Sequence, residues 1–276
     1  PNAGGTCARA PVAAAGAGLG VVRQGHWQRC SRASGDRPDS ELRMIRPAAD
    51  LDGKPGLWLS LRFGQLVRIH PGPRFENVAT PWSHDSGQAV LDLLSRRIHG
   101  QTEQWFATRS QGIYRHTKAG WTAFRPAGVQ GPWSVIRLLE QKTAAGQPWL
   151  GATSNQRLAR YHGRQRTVLG RQLRTPGVPR TDLDLYPDAK GRPVLWLGST
   201  HNGIIRVDAS DPEHPVVLPD TLPPPPNANA YSAIRDSQGR IYICTNAGVQ
   251  FLVPSDTGYR SRVFTRRDGL VHDECN

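Results

Sequence analysis

The stretch LWLGSTHNGIIRV, residues 195–207, sets an aromatic residue in an apolar run, follows it with a polar turn holding Gly203, and resumes with apolar residues around Arg206. The same phrase recurs as LWLSLRFGQLVRI (57–69), QWFATRSQGIYRH (104–116), PWLGATSNQRLARY (148–161) and IYICTNAGVQFLV (241–253). The anchoring aromatics Trp58, Trp105, Trp149, Trp196 and Tyr242 stand 47, 44, 47 and 46 residues apart. That regularity marks one structural unit built five times.

Working outward, each aromatic is preceded by an apolar run (LRMI, AVLDLL, SVIRLL, DLDLY, YSAI) and a turn with Gly53, Gly100, Gly146, Gly191 or Gly239. A positive φ is expected at these glycines. After the aromatic comes a second turn, carrying Gly64, Gly112, Gly203 or Gly248 in four of the units, then a strand with a recurring Arg (Arg68, Arg115, Arg160, Arg206). A fourth run such as WTAF or RSRVF closes the unit. Large residues (Leu59, Phe106, Leu150, Leu197, Ile243) follow the aromatic directly, and small ones (Ser60, Ala107, Gly151, Gly198, Cys244) come next. Neighbours on a strand face opposite sides, so both faces of this strand are expected to be buried. Cys244 is read as filling the small slot.

Four antiparallel strands every 46 or so residues define an all-β fold, a β-propeller of four-stranded blades. AGAGLGVVRQGHWQRC, near the N-terminus, matches QGIYRHTKAGWTAF, so a partial blade is read over 1–30. The complete blades fall at about 41–80, 86–126, 131–171, 180–220 and 229–267, and 268–276 reads as the start of the next. About five blades and a partial one imply a single propeller segment, a fragment of a ring of six to eight blades. RAPVAAAGAGLGVV superficially resembles a signal-peptide core but fits the repeat better. No apolar run of 18 residues is present, so nothing here reads as a membrane-spanning helix.

These units run close to a known repeat of the form I-x-x-L-x-D-x-x-G-x-L-W-I-G-T-x-x-G-L-x-R-Y with a following D-G-L. LWLGSTHNGIIRVD, and AIRDSQGRIYICTNAGVQ with FTRRDGL after it, resemble the two-component regulator propeller repeat in this respect. The resemblance spans roughly residues 12–276, although SNQRLARY lacks the turn glycine. It implies a ligand-sensing region of a bacterial transmembrane signalling protein, of the two-component sensor or diguanylate cyclase type. Such a region is periplasmic or extracytoplasmic, tethered to the inner membrane by regions outside this chain, and non-enzymatic itself even where a kinase or cyclase output follows. The alternative is a secreted propeller enzyme, lyase- or glycosidase-like, or a protein-interaction scaffold.

The chain has 35 Lys and Arg against 22 Asp and Glu, a net charge of +13. Much of the excess sits in the Arg slot and in scattered pairs such as Arg96–Arg97 and Arg266–Arg267, which reads as solvated blade edges, without a nucleic-acid motif. Nine histidines show no metal-ligand spacing, and no metal or cofactor is expected. SHDS (83–86) brings Ser, His and Asp together, but adjacent residues cannot place a base between nucleophile and orienting acid. No catalytic residue is assigned. TLPPPPNANA (221–230) reads as a stiff crossover between blades. Cys7, Cys30, Cys244 and Cys275 share no CxxC spacing, and their disulfide state is open. Ligand-binding candidates are the turn residues after each aromatic strand, Arg62, Arg109, Asn155, His201 and Asn246, facing a small polar or anionic ligand or polymer. Homodimerisation is left open for the full-length protein.

Overall fold

The computed structural model describes residues 12–15, 18–23, 26–29, 42–70, 74–82, 84, 88–124, 132–142, 148–154, 158–162, 165–168, 179–188, 191–211, 214–256 and 258–275. The described residues form five four-stranded antiparallel sheets and one three-stranded sheet, each a simple meander. They divide into two compact units, Pro1–Val135 and Ile136–Asn276.

The first unit opens with β1 (Val12–Ala15), β2 (Gly18–Arg23) and β3 (His26–Arg29). Its second sheet runs β4 (Leu42–Ala49), β5 (Pro55–Leu61), β6 (Leu66–His70) and β7 (Arg74–Val78). The third runs β8 (Val90–Ile98), β9 (Gln101–Thr108), β10 (Ile113–Thr117) and β11 (Gly120–Phe124). Between the second and third sheets lies a core of Trp58, Leu66, Trp82, Val90, Leu93 and Phe106. Leu59, Leu61, Val67 and Ile69 pack on the opposite face of the second sheet. Polar groups also bridge these sheets: Arg46 Nε donates to Asp92 Oδ1 at 2.6 Å and Gln104 Nε2 to the Ala49 carbonyl at 2.8 Å.

The fourth sheet, which lies in the second unit from Ile136 onward, is β12 (Val135–Lys142), β13 (Pro148–Ser154), β14 (Leu158–His162) and β15 (Gln165–Val168). β16 (Pro179–Pro187), β17 (Pro193–Ser199), β18 (Ile204–Asp208) and the short β19 (Val216–Val217) form the fifth. The sixth is β20 (Ala230–Arg235), β21 (Ile241–Thr245), β22 (Gly248–Ser255) and β23 (Gly258–Phe264). β17 shows the two-sided burial that its alternation of large residues requires. Leu195 and Leu197 enter one core with Ile205 and Val207, while Val194 and Trp196 enter another with Ile241, Ile243 and Leu252.

The first turn of the repeat is held by its aspartate. Asp50, Asp188 and Asp236 each accept, at Oδ1, the backbone N–H four residues on, and Gly53, Gly191 and Gly239 adopt φ of +80°, +77° and +79° between them. The second turn has a different duty: it receives the segment leaving the sheet. Trp82 donates its indole N–H to the Gly64 carbonyl at 2.8 Å, the Gly112 N–H donates to the Trp133 carbonyl, and the Gly203 N–H to the Ala228 carbonyl. The 221–230 stretch does cross from the fifth sheet to the sixth, with the Pro223 and Pro224 carbonyls accepting from Gln250 Nε2. Gly146 lies outside the described residues.

Gly248 makes the demand sharpest. Its φ is +111°, and a Cβ there would stand 2.3 Å from the Phe264 carbonyl oxygen, a backbone atom that cannot swing away. Gly248→Ala should therefore destabilise the chain by about 2–4 kcal/mol, combining backbone strain with overpacking. Gly258→Ala, at φ +133° with open space around the new methyl group, should cost only the strain, about 1 kcal/mol. Urea unfolding of the two variants checks the difference; equal losses would show that the contact with Phe264 contributes nothing.

Candidate functional site

The recurring Arg is a cross-strand partner of the aromatic. Arg68 stands opposite Trp58, Arg115 opposite Trp105 and Arg206 opposite Trp196. In each pair the guanidinium lies over the indole, 5.7 to 5.8 Å from the ring centroid. Arg68 is buried and also pairs with Asp50 at 2.7 Å. For Arg68 the reading of this slot as solvated edge is thus corrected, since stacking on Trp58 and the Asp50 pair shield the cation, whereas the Arg115 side chain keeps 38% of its surface exposed.

Glu103 gathers Arg115 of this slot together with Arg96 of β8. It accepts from Trp105 Nε1 at 2.8 Å, from Arg96 Nε at 2.6 Å and from Arg115 Nε at 2.6 Å while itself buried. Burial alone would raise its carboxyl, but the Trp105 hydrogen bond and the two guanidinia outweigh that and hold it below the usual carboxylate range.

In the fifth sheet the Arg slot becomes a cavity wall. A cleft of about 440 Å³ lies between β18, β19 and the proline-rich crossover. Ile204, Val217, Leu218 and Pro225 supply apolar surface, while His201, Arg206 and Asp220 supply polar groups. Arg206 is oriented through its Nη2, which donates to the Pro219 carbonyl at 2.9 Å and to Thr221 Oγ1 at 2.7 Å. Burial pushes this guanidinium below its ordinary value, against the pull of Asp220 and Tyr259. The arrangement suits an amphipathic molecule, with an apolar body on the floor and an anionic group towards Arg206.

Among the described turn residues singled out from sequence, only His201 lines this cleft. It is exposed and shares a hydrogen bond of 2.9 Å between its Nδ1 and Thr200 Oγ1. Arg62 is exposed in a 3-10 turn after β5, with its guanidinium over the Phe63 ring. Arg109 is exposed after β9, its backbone N–H donating to the Ala89 carbonyl. Asn246 is half-buried and accepts from the Tyr231 hydroxyl, while Asn155 lies outside the described residues. Arg206 and the crossover residues were missed because the repeat pattern treats the Arg slot as uniform. The signal available was the proline run itself, which forces an extended path beside β18. Among the described residues, no three His, Cys, Asp or Glu side chains converge as a metal site would require.

No family model matches the chain, and no curated protein matches it in sequence. Solved structures do. Virginiamycin B lyase from Staphylococcus aureus is similar with a TM-score of 0.60 at 14% identity, over 90% of this chain and 78% of that one. A streptogramin B lyase is similar with a TM-score of 0.62 at 13% identity, over 91% of this chain and 77% of that one. The extracellular domain of a hybrid two-component system from B. thetaiotaomicron matches with a TM-score of 0.43 at 16% identity, over 92% of this chain and 41% of that one. The first two likenesses show the fold, an all-β protein of the β-propeller class.

Proposed function

We propose that the chain is a non-catalytic, ligand-binding propeller region of a bacterial transmembrane signalling protein, working outside the cytoplasm, and that its ligand is a small amphipathic anion. The observation that carries the binding site is the cleft beside Arg206, where apolar walls meet an oriented, partly desolvated cation. The signalling role is supported by the resemblance of LWLGSTHNGIIRVD and its companions to the regulator propeller repeat. No helix among the described residues is long and apolar enough to cross a membrane.

Calorimetric titration of the whole chain with monocarboxylates of increasing apolar tail length tests the site. Saturable binding that tightens with tail length is expected, and His201→Ala combined with Arg206→Gln should weaken it about tenfold or more, a loss of about 1.4 kcal/mol or more. Unchanged affinity in that variant removes the cleft as the site. Conversion of the added compound during the titration would overturn the non-catalytic reading in favour of a lyase-like enzyme. For the signalling role, the open reading frame should continue into an apolar span of about 20 residues and an output domain.

A further inference from the structure

The segment after β23 does not run on as a strand but folds back. Thr265 caps a 3-10 turn at Arg266–Asp268, Gly269 reverses the chain in the left-handed region, and the Arg266 N–H donates to Asp273 Oδ1. The returning residues then dock on the turn between β21 and β22. The Gly248 N–H donates to the Asp273 carbonyl at 2.6 Å, and the Cys275 N–H to the Thr245 carbonyl at 3.1 Å. The Tyr231 hydroxyl reaches both Asn246 Oδ1 and Glu274 Oε1. These contacts leave the half-buried Cys275 facing the half-buried Cys244, with their sulfurs 2.6 Å apart. The small slot of β21 is thus filled from outside by a second thiol.

We infer that Cys244 and Cys275 form an intrachain disulfide that clamps the 266–275 hook over the turn carrying Asn246. The backbone hydrogen bond one residue from Cys244 already fixes the two cysteines side by side, so closure needs only a small adjustment of side chains. Both S–H bonds break and one S–S bond forms. The two protons and two electrons pass to the disulfide of an exchange partner, which leaves as two thiols. Burial beside Cys244 pushes the Cys275 thiol up to about 12. This inference stands apart from the ligand assigned to the Arg206 cleft.

The test incubates the whole chain in a buffer of oxidised and reduced glutathione, alkylates remaining thiols and digests with trypsin without reduction. Cleavage after Arg240, Arg260 and Arg267 should release 241–260 joined to 268–276. Recovery of both peptides separately alkylated, or of Cys244 joined to Cys7 or Cys30, overturns the inference. Adding reductant should also lower the unfolding midpoint of the oxidised chain by about 5–10 °C and leave Cys275→Ser unmoved. Equal shifts in the two proteins would place the bond elsewhere.

Discussion

Glu103→Ala should lower stability by about 3–5 kcal/mol, because it strips the carboxylate from a buried site and leaves the Arg96 guanidinium inside without it. The Arg96 side chain is only 10% exposed, so water cannot replace the lost partner in place. Glu103→Gln keeps the shape and should lose less, since the amide still accepts one hydrogen bond. Acid reveals the same site without mutation. The folded-state carboxyl titrates below its ordinary value of 4.5, so its contribution is present above that pH and is lost as pH falls through the folded-state value. Urea midpoints measured from pH 6 downward should therefore fall more steeply for the natural chain than for Glu103→Gln below about pH 4.5. Parallel curves would mean that the three partners do not favour the ionised form.

Phe106→Ala should be comparably damaging, at about 3–5 kcal/mol. Phe106 is fully buried, with ring centroids 6.2 Å from Trp58, 5.9 Å from Trp82 and 5.1 Å from Trp121. Rigid indoles on three sides cannot collapse into the space that a phenyl leaves, so most of the cavity should persist. Phe106→Leu, which preserves much of the volume, should cost about 1–1.5 kcal/mol by comparison. Chemical denaturation distinguishes the two, and a loss below about 1 kcal/mol for the alanine variant would show that the cluster repacks.

The blade architecture was legible because the period belongs to local pattern: Trp58, Trp105 and Trp196 keep their spacing, and the large and small residues after them announce burial on both faces. The role of the Arg slot was not. A cation at a fixed register position reads as surface until the cross-strand partner is known, and Arg68 opposite Trp58 is a fact of pairing, not of spacing. Trp82 and Trp133 escaped for a related reason. They lie in connections of unequal length, so no alignment of units brings them into a common column, yet each packs on the second-turn glycine of its own sheet. The cleft at Arg206 was equally hidden, since the path of residues 217–228 decides it, and among the described turn residues only His201 was placed there by position alone.

The two kinds of turn leave this protein unequally open to change. At Gly100 and Gly191 nothing approaches within 4 Å of where a side chain would begin, while Gly64, Gly112, Gly203 and Gly248 each hold a neighbouring segment in place. In the third and fifth sheets the end at these two turns is therefore open to a change of length or a graft, such as a fluorophore or an epitope. The other end is a joint, where any addition must displace the strand connection that links one blade to the next.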